Sequence, residues 1–169
     1  IGDKMAYTWV QVDTFDIDDE WNSLYEDSKE DLEGGTINQN PDWTDAERKQ
    51  TMISLMNHSN VRNKHNIKIY KDGVPVMFNH CIYQDGLFLW VTGIVAKVNN
   101  SKSWTATTEF HQANKDYIQS LGGTKWGIEC VKGTAIDTYY TGMHNNGICL
   151  GTLEETDEDH NMKQMIWTY

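Results

Sequence analysis

Glu129 sits in the run Gly-Ile-Glu-Cys-Val, among apolar or small neighbours. Burying a carboxylate in such a run is costly unless it is paired, and burial raises its pKa towards a range useful for proton transfer. An ion pair would explain the same residue, so its type leaves both roles open. Gly93 interrupts the most apolar stretch of the chain, Leu-Phe-Leu-Trp-Val-Thr-Gly-Ile-Val-Ala. A glycine there marks a strand bulge or a close approach by another group, or it relieves crowding against a helix. Other chemistries find less support. His58, His65, His80, His111, His144 and His160 are scattered with no pair at metal-ligand spacing, and no metal is expected. Cys81, Cys130 and Cys149 are odd in number, widely spaced and without a CxxC, which points to reduced, buried thiols. A cysteine–histidine nucleophile stays open, because such partners meet in space and not in sequence. No dinucleotide glycine fingerprint, P-loop, HExxH or calcium-loop pattern occurs.

The elements that must position these residues come from one chain of 169 residues. That length suits a single domain, residues 1–169, with a real core. A hydrophobic content of 38%, with seven Trp and eight Tyr, argues against disorder. The formal net charge of -11 disfavours nucleic acid, whose phosphates need a basic surface, and anionic membranes. It is compatible with a cationic partner and also serves solubility. The acidic clusters at 16–20 and 154–159 read as a solvated helix end and a turn. The longest apolar stretch, residues 87–96, is too short to span a bilayer, and no signal-peptide pattern is read at the start. A soluble, cytoplasmic chain is the expectation.

Alternation from Tyr7 predicts a first strand ending near Phe15. A helix capped by Asp16 should follow, with Ile17, Trp21, Leu24, Tyr25, Ser28 and Leu32 inward and Gly34 and Gly35 as its stop. Thr44-Asp45-Ala46-Glu47 is a capping box for a second helix, with Met52, Leu55 and Met56 on its apolar face. Strands over 67–70, 74–83 and 87–98 are joined by Asp72-Gly73 and Asp85-Gly86, strong hairpin signals. They form an antiparallel meander whose last strand is apolar on both faces and therefore central. A third helix over 103–121, with Phe110, Ala113, Tyr117 and Leu121 inward, should cross to a parallel strand over 125–131. A short helix over 134–143 and a hairpin of strands 148–153 and 162–167 complete the chain.

The order β-α-α-β-β-β-α-β-α-β-β resembles that of the GCN5-related N-acetyltransferase (GNAT) superfamily over nearly the whole chain. The resemblance implies an α/β (α+β) fold with a mixed central sheet of about seven strands and four helices. Family members splay their fourth strand from the fifth, with a bulge in the fourth, and acyl-coenzyme A enters the gap. On that model Thr92, Gly93 and Ile94 receive the donor, with backbone donors near Gly93 and Ile94 polarising the thioester carbonyl. The pyrophosphate loop corresponds to Asn99, Asn100, Ser101, Lys102 and Ser103 at the start of the third helix, where exposed N–H groups make an anion site. The usual glycines are missing there, and Trp104 stands where a small residue is normal.

In the fourth helix, Ala135 and Tyr139 match a family spacing, while Gly142 comes one residue early and Met143 replaces an aromatic. The resemblance makes Tyr139, with Tyr140 as substitute, the acid that protonates the departing thiolate. Glu129, or alternatively His80 on the third strand, would take a proton from the attacking amine, directly or through water. Each of these four also has an ordinary structural role open to it. The implied activity is transfer of an acyl group from acetyl-CoA or another acyl-CoA to the amine of a small molecule or peptide. The missing loop glycines favour a rival: a GNAT-fold protein without catalysis that binds a partner. A homodimer is compatible with either.

Overall fold

The computed structural model describes residues 6–29, 42–57, 62–95, 105–159 and 161–169. Seven strands form one sheet in the order β1-β2-β3-β4-β5-β7-β6, and four helices are described with it. The residues group into two compact units. One contains residues 1–80 and 92–101, the other 81–91 and 102–169.

In the first unit, β1 (Tyr7–Val12) pairs antiparallel with β2 (Asn66–Lys71), and β2 with the start of β3 (Val74–Gln84). Asp72 and Gly73 both have positive φ, 51° and 81°, as a tight hairpin with the right twist requires. β1 stops earlier than its alternation suggests, because Phe15 turns into the core. Its N–H donates to Asn57 Oδ1 at 2.7 Å and its carbonyl accepts from Asn57 Nδ2 at 2.6 Å. Helix α1 (Asp19–Ser28) is capped by Asp18 and not by Asp16. The Asp18 carboxylate accepts from the Trp21 N–H at 2.8 Å, which leaves Asp19 and Glu20 in the first turn. The capping box of α2 (Asp45–Met56) forms as the sequence requires. Trp21, Leu24 and Tyr25 of α1 pack with Met52, Ile53 and Met56 of α2 and with Phe15 and Phe78. Ile17 and Leu55, expected inward, are exposed, and Ile53 takes the inward place.

The second unit holds the start of β4 (Leu87–Val95) and then α3 (Thr108–Ser120), β5 (Lys125–Val131), α4 (Ala135–Asn145), β6 (Thr152–Asp157) and β7 (Met162–Thr168). The crossover through α3 makes β5 parallel to β4, over Leu87–Trp90 against Lys125–Ile128. Helix α3 begins after its cap, Thr107, which accepts from the Phe110 N–H; Ser103, the expected start, lies outside the described residues. Its inward face is Phe110, His111, Asn114 and Ile118, rotated from the expected face. Residues 148–151 are not strand. The Ile148 N–H instead closes α4 on the Met143 carbonyl, with Gly147 at φ 71°. The strand β6 takes up Glu154 to Asp157, read from sequence as a turn. It is an edge strand, and Lys163 and Lys132 pair with Glu155 and Asp157. Trp126 centres this unit's core, with ring centroids 5.2 Å from Trp90, 5.4 Å from His111 and 4.9 Å from Trp167.

Candidate active site

In the first unit, Thr92, Gly93 and Ile94 lie on β4. A Cβ built on Gly93 would collide with Asn79 Oδ1 and fall 2.9 Å from Asn79 Cγ and 3.2 Å from the Phe78 carbonyl oxygen. The crowding that demands glycine therefore comes from the neighbouring strand β3, not from a helix. Asn79 is 4% exposed, and its Nδ2 donates to Met77 Sδ at 3.0 Å. His80, also buried, has its Nδ1 2.7 Å from Asn66 Oδ1. Asn66 donates through Nδ2 to the Met56 carbonyl at 2.9 Å. Its amide oxygen thus faces the imidazole, so Nδ1 carries a proton and donates.

In the second unit, the Tyr139 hydroxyl lies 2.6 Å from Thr105 Oγ1. The Thr105 carbonyl lies 2.9 Å from His111 Nε2. Burial lowers the His111 pKa to about 4, against the opposing effect of that carbonyl, so the ring is neutral at pH 7 and Nε2–H is the donor. Burial likewise raises the Tyr139 pKa, with the Thr105 bond acting in the other direction. The phenol is therefore protonated at neutral pH. Tyr140 packs its ring 5.9 Å from Trp126 and 6.3 Å from Trp167, and burial drives its pKa strongly upwards.

Glu129, half-buried on β5, accepts from Gln164 Nε2 at 2.9 Å. Glu158 stands near it, and its pKa is raised by burial first and then by the Glu129 charge. Helix α4 is fastened to β7 by the pair Lys163–Asp137, with Asp137 also accepting from the Gly133 N–H at 2.8 Å. The Lys163 bond, then the Gly133 bond, hold the Asp137 carboxyl below its usual range. Tyr139 follows Asp137 by two residues on the helix so anchored.

The sequence-derived candidates divide between the units: Thr92, Gly93, Ile94 and His80 in the first, Tyr139, Tyr140 and Glu129 in the second. Asn99, Asn100, Ser101, Lys102 and Ser103 lie outside the described residues, as does Trp104. Sequence reasoning missed Asn79, Thr105 and His111. The available signals were an asparagine inside an apolar strand and a histidine at helical spacing with Asn114 and Ile118. Cys81, Cys130 and Cys149 are free and buried. Burial raises all three thiol pKa values, that of Cys149 to about 12, which makes them poor nucleophiles. Among the described residues no group of three His, Cys, Asp or Glu is placed to hold a metal ion, and no helix is long and apolar enough to cross a membrane.

No protein-family model matches the sequence, and no curated protein matches it. Solved structures do match in fold. PaiA N-acetyltransferase from Thermoplasma acidophilum, in complex with coenzyme A, superposes with a TM-score of 0.54 at 11% identity, over 98% of this chain and 100% of that one. N-acetyltransferase PseH from Campylobacter jejuni, in complex with acetyl coenzyme A, gives 0.55 at 8% identity, over 96% and 99%. The ribosomal-protein-S18-alanine N-acetyltransferase from Escherichia coli gives 0.53 at 10% identity, over 96% and 94%. The mixed seven-stranded sheet with four helices is the fold of the GCN5-related N-acetyltransferases. At these identities the likeness defines the class of fold and not the reaction.

Proposed function

We propose that this protein is an N-acyltransferase, using acetyl-CoA or another acyl-CoA as donor and an amine as acceptor. The observation that carries the reading is Tyr139: a protonated phenol, hydrogen-bonded to Thr105, on the helix where the resemblance calls for an acid. Two of the similar structures hold coenzyme A or its acetyl form, which supports the choice of donor. The amine nitrogen attacks the thioester carbonyl carbon. The resemblance assigns the developing oxyanion to a backbone donor near Gly93 or Ile94. The carbon–sulfur bond then breaks, Tyr139 gives its proton to the leaving thiolate, and Glu129 takes the proton lost by the amine. Gln164 holds the Glu129 carboxylate by a hydrogen bond of 2.9 Å, and His80 is the alternative base. The acceptor is an amine on a small molecule or a peptide, and the charge of -11 favours a cationic one.

Thermal unfolding with acetyl-CoA, and separately with coenzyme A, tests this reading. A ligand that binds only the folded state raises the midpoint by mass action, by about 2.7 kcal/mol of stability at a hundred times its Kd. A saturable rise is the expected outcome. No shift at millimolar ligand would sink the acetyltransferase reading. It would favour the second one, a binding protein without catalysis, which the lack of glycine in the sequence at 99–104 supports.

A further inference from the structure

We propose that Asn79 sets the length of acyl chain this protein accepts, an inference that rests on the acyltransferase reading above. Strand β4 is bare at Gly93, and the Asn79 carboxamide fills the place a Gly93 side chain would take. That carboxamide is buried, and its Nδ2 donates to the Met77 thioether, a weak acceptor. Buried amides ordinarily find oxygen or nitrogen partners. Of its neighbours on the strand, Met77, Phe78 and Cys81 are buried and apolar, and His80 is buried and polar. The Asn79 carboxamide is thus a polar group standing over the bare glycine of β4.

The segment beside it is the one assigned to the thioester carbonyl. A carbonyl oxygen accepting from a β4 N–H sits about 2.9 Å from that nitrogen, and the first acyl carbon is bonded to the same carbonyl carbon. The acyl chain therefore begins next to Gly93, and the group standing over Gly93 forms part of its wall. An acetyl methyl group ends before it reaches far along that wall. A longer aliphatic chain has to displace the amide or lie against it and leave it desolvated without a partner. Asn79 thus admits short acyl groups and disfavours long apolar ones. It acts through volume and through polarity together.

The test is calorimetric titration of coenzyme A, acetyl-CoA, butyryl-CoA and hexanoyl-CoA into the native chain, Asn79→Ala and Asn79→Ser. The native chain should prefer acetyl-CoA to hexanoyl-CoA. Asn79→Ala should move that affinity ratio towards hexanoyl-CoA by about tenfold or more, the scale on which a pocket reads added methylenes. Free coenzyme A should bind all three proteins alike, which a merely unfolded variant could not do. Asn79→Ser removes volume but keeps a polar group, and provides the reading if the alanine variant does not fold. An unchanged ratio in a folded variant, or a native chain indifferent to chain length, overturns the inference and leaves the acyltransferase reading standing. A native chain that binds no acyl-CoA overturns both.

Discussion

A phenol that keeps its proton at pH 7 is useful where a leaving group needs one. Tyr139 meets that condition through burial, and Thr105 fixes its hydroxyl. Tyr139→Phe removes the proton and keeps the ring contact with Tyr140, whose centroid is 5.6 Å away. Turnover, followed as thiol release from acetyl-CoA with an amine acceptor, should fall by about 10²–10⁴-fold, the usual worth of a positioned acid. Donor affinity should stay unchanged. Tyr140→Phe is the control and should leave turnover near native, since Tyr140 is one of the aromatic rings around Trp126. Equal losses in both variants would show a packing role and remove Tyr139 from the mechanism. The resemblance, through the spacing from Ala135, points to this tyrosine, with Tyr140 as substitute, but not to its partner. Thr105 is 34 residues away, and a hydroxyl pair across that distance leaves no pattern in a sequence.

At the scale of the element, the devices that formed as read are local ones. The Thr44 capping box closes with the Thr44 N–H donating to Glu47 Oε2 at 2.6 Å and the Glu47 N–H to Thr44 Oγ1 at 3.2 Å. Thr44→Ala should destabilise by about 1 kcal/mol. In a chain of this length that lowers the melting temperature by about 2–4 °C. No change would mean that α2 is held by its packing on α1 alone. The inward face of α3 was misread for a related reason. Polar His111 and Asn114 look like solvent-facing positions, yet both are buried; the Thr105 carbonyl and the aromatic rings around Trp126 receive the His111 ring. The strand β6 was misplaced because its four acidic and polar residues resemble a turn. Its backbone pairing with β7, from Thr152 opposite Thr168 to Asp157 opposite Lys163, makes it a strand.

For the whole molecule, the pH dependence of stability follows from the buried His111. Its pKa is about 4 when folded, against an ordinary value of 6.5. The unfolded chain therefore binds the proton first, and the contribution of neutral His111 is complete above about pH 6.5 and lost as pH falls towards 4. The full loss is about 3 kcal/mol. His65 is shifted the same way by burial. The Asp137 carboxyl is held below its ordinary 3.8, so its contribution persists through this range and fades only at lower pH. Melting temperatures measured from pH 7 to pH 4.5 should fall for the native chain, and less steeply for His111→Gln, which keeps a donor for the Thr105 carbonyl. Equal slopes would show that other groups dominate the acid limb.

The sequence by itself determined what short range can specify: the Asp-Gly hairpins, the capping box, the parallel crossover to β5 and the order of elements that resembles the GNAT fold. Each depends on residues a few positions apart, or on chirality, and needs no knowledge of distant partners. It also marked Gly93 as an interruption of an apolar strand, and the resemblance pointed to Tyr139 with Tyr140 as substitute. Tertiary structure decided what each of them meets. The neighbour that crowds Gly93 is an asparagine on the next strand, the partner of Tyr139 is a threonine before α3, and the helix carrying Tyr139 is fastened by a lysine from β7. Those pairings bridge 14, 34 and 26 residues (93 − 79, 139 − 105 and 163 − 137). Side chains that far apart are brought together by sheet register and helix rotation, and a shift of one residue in either would replace every one of them.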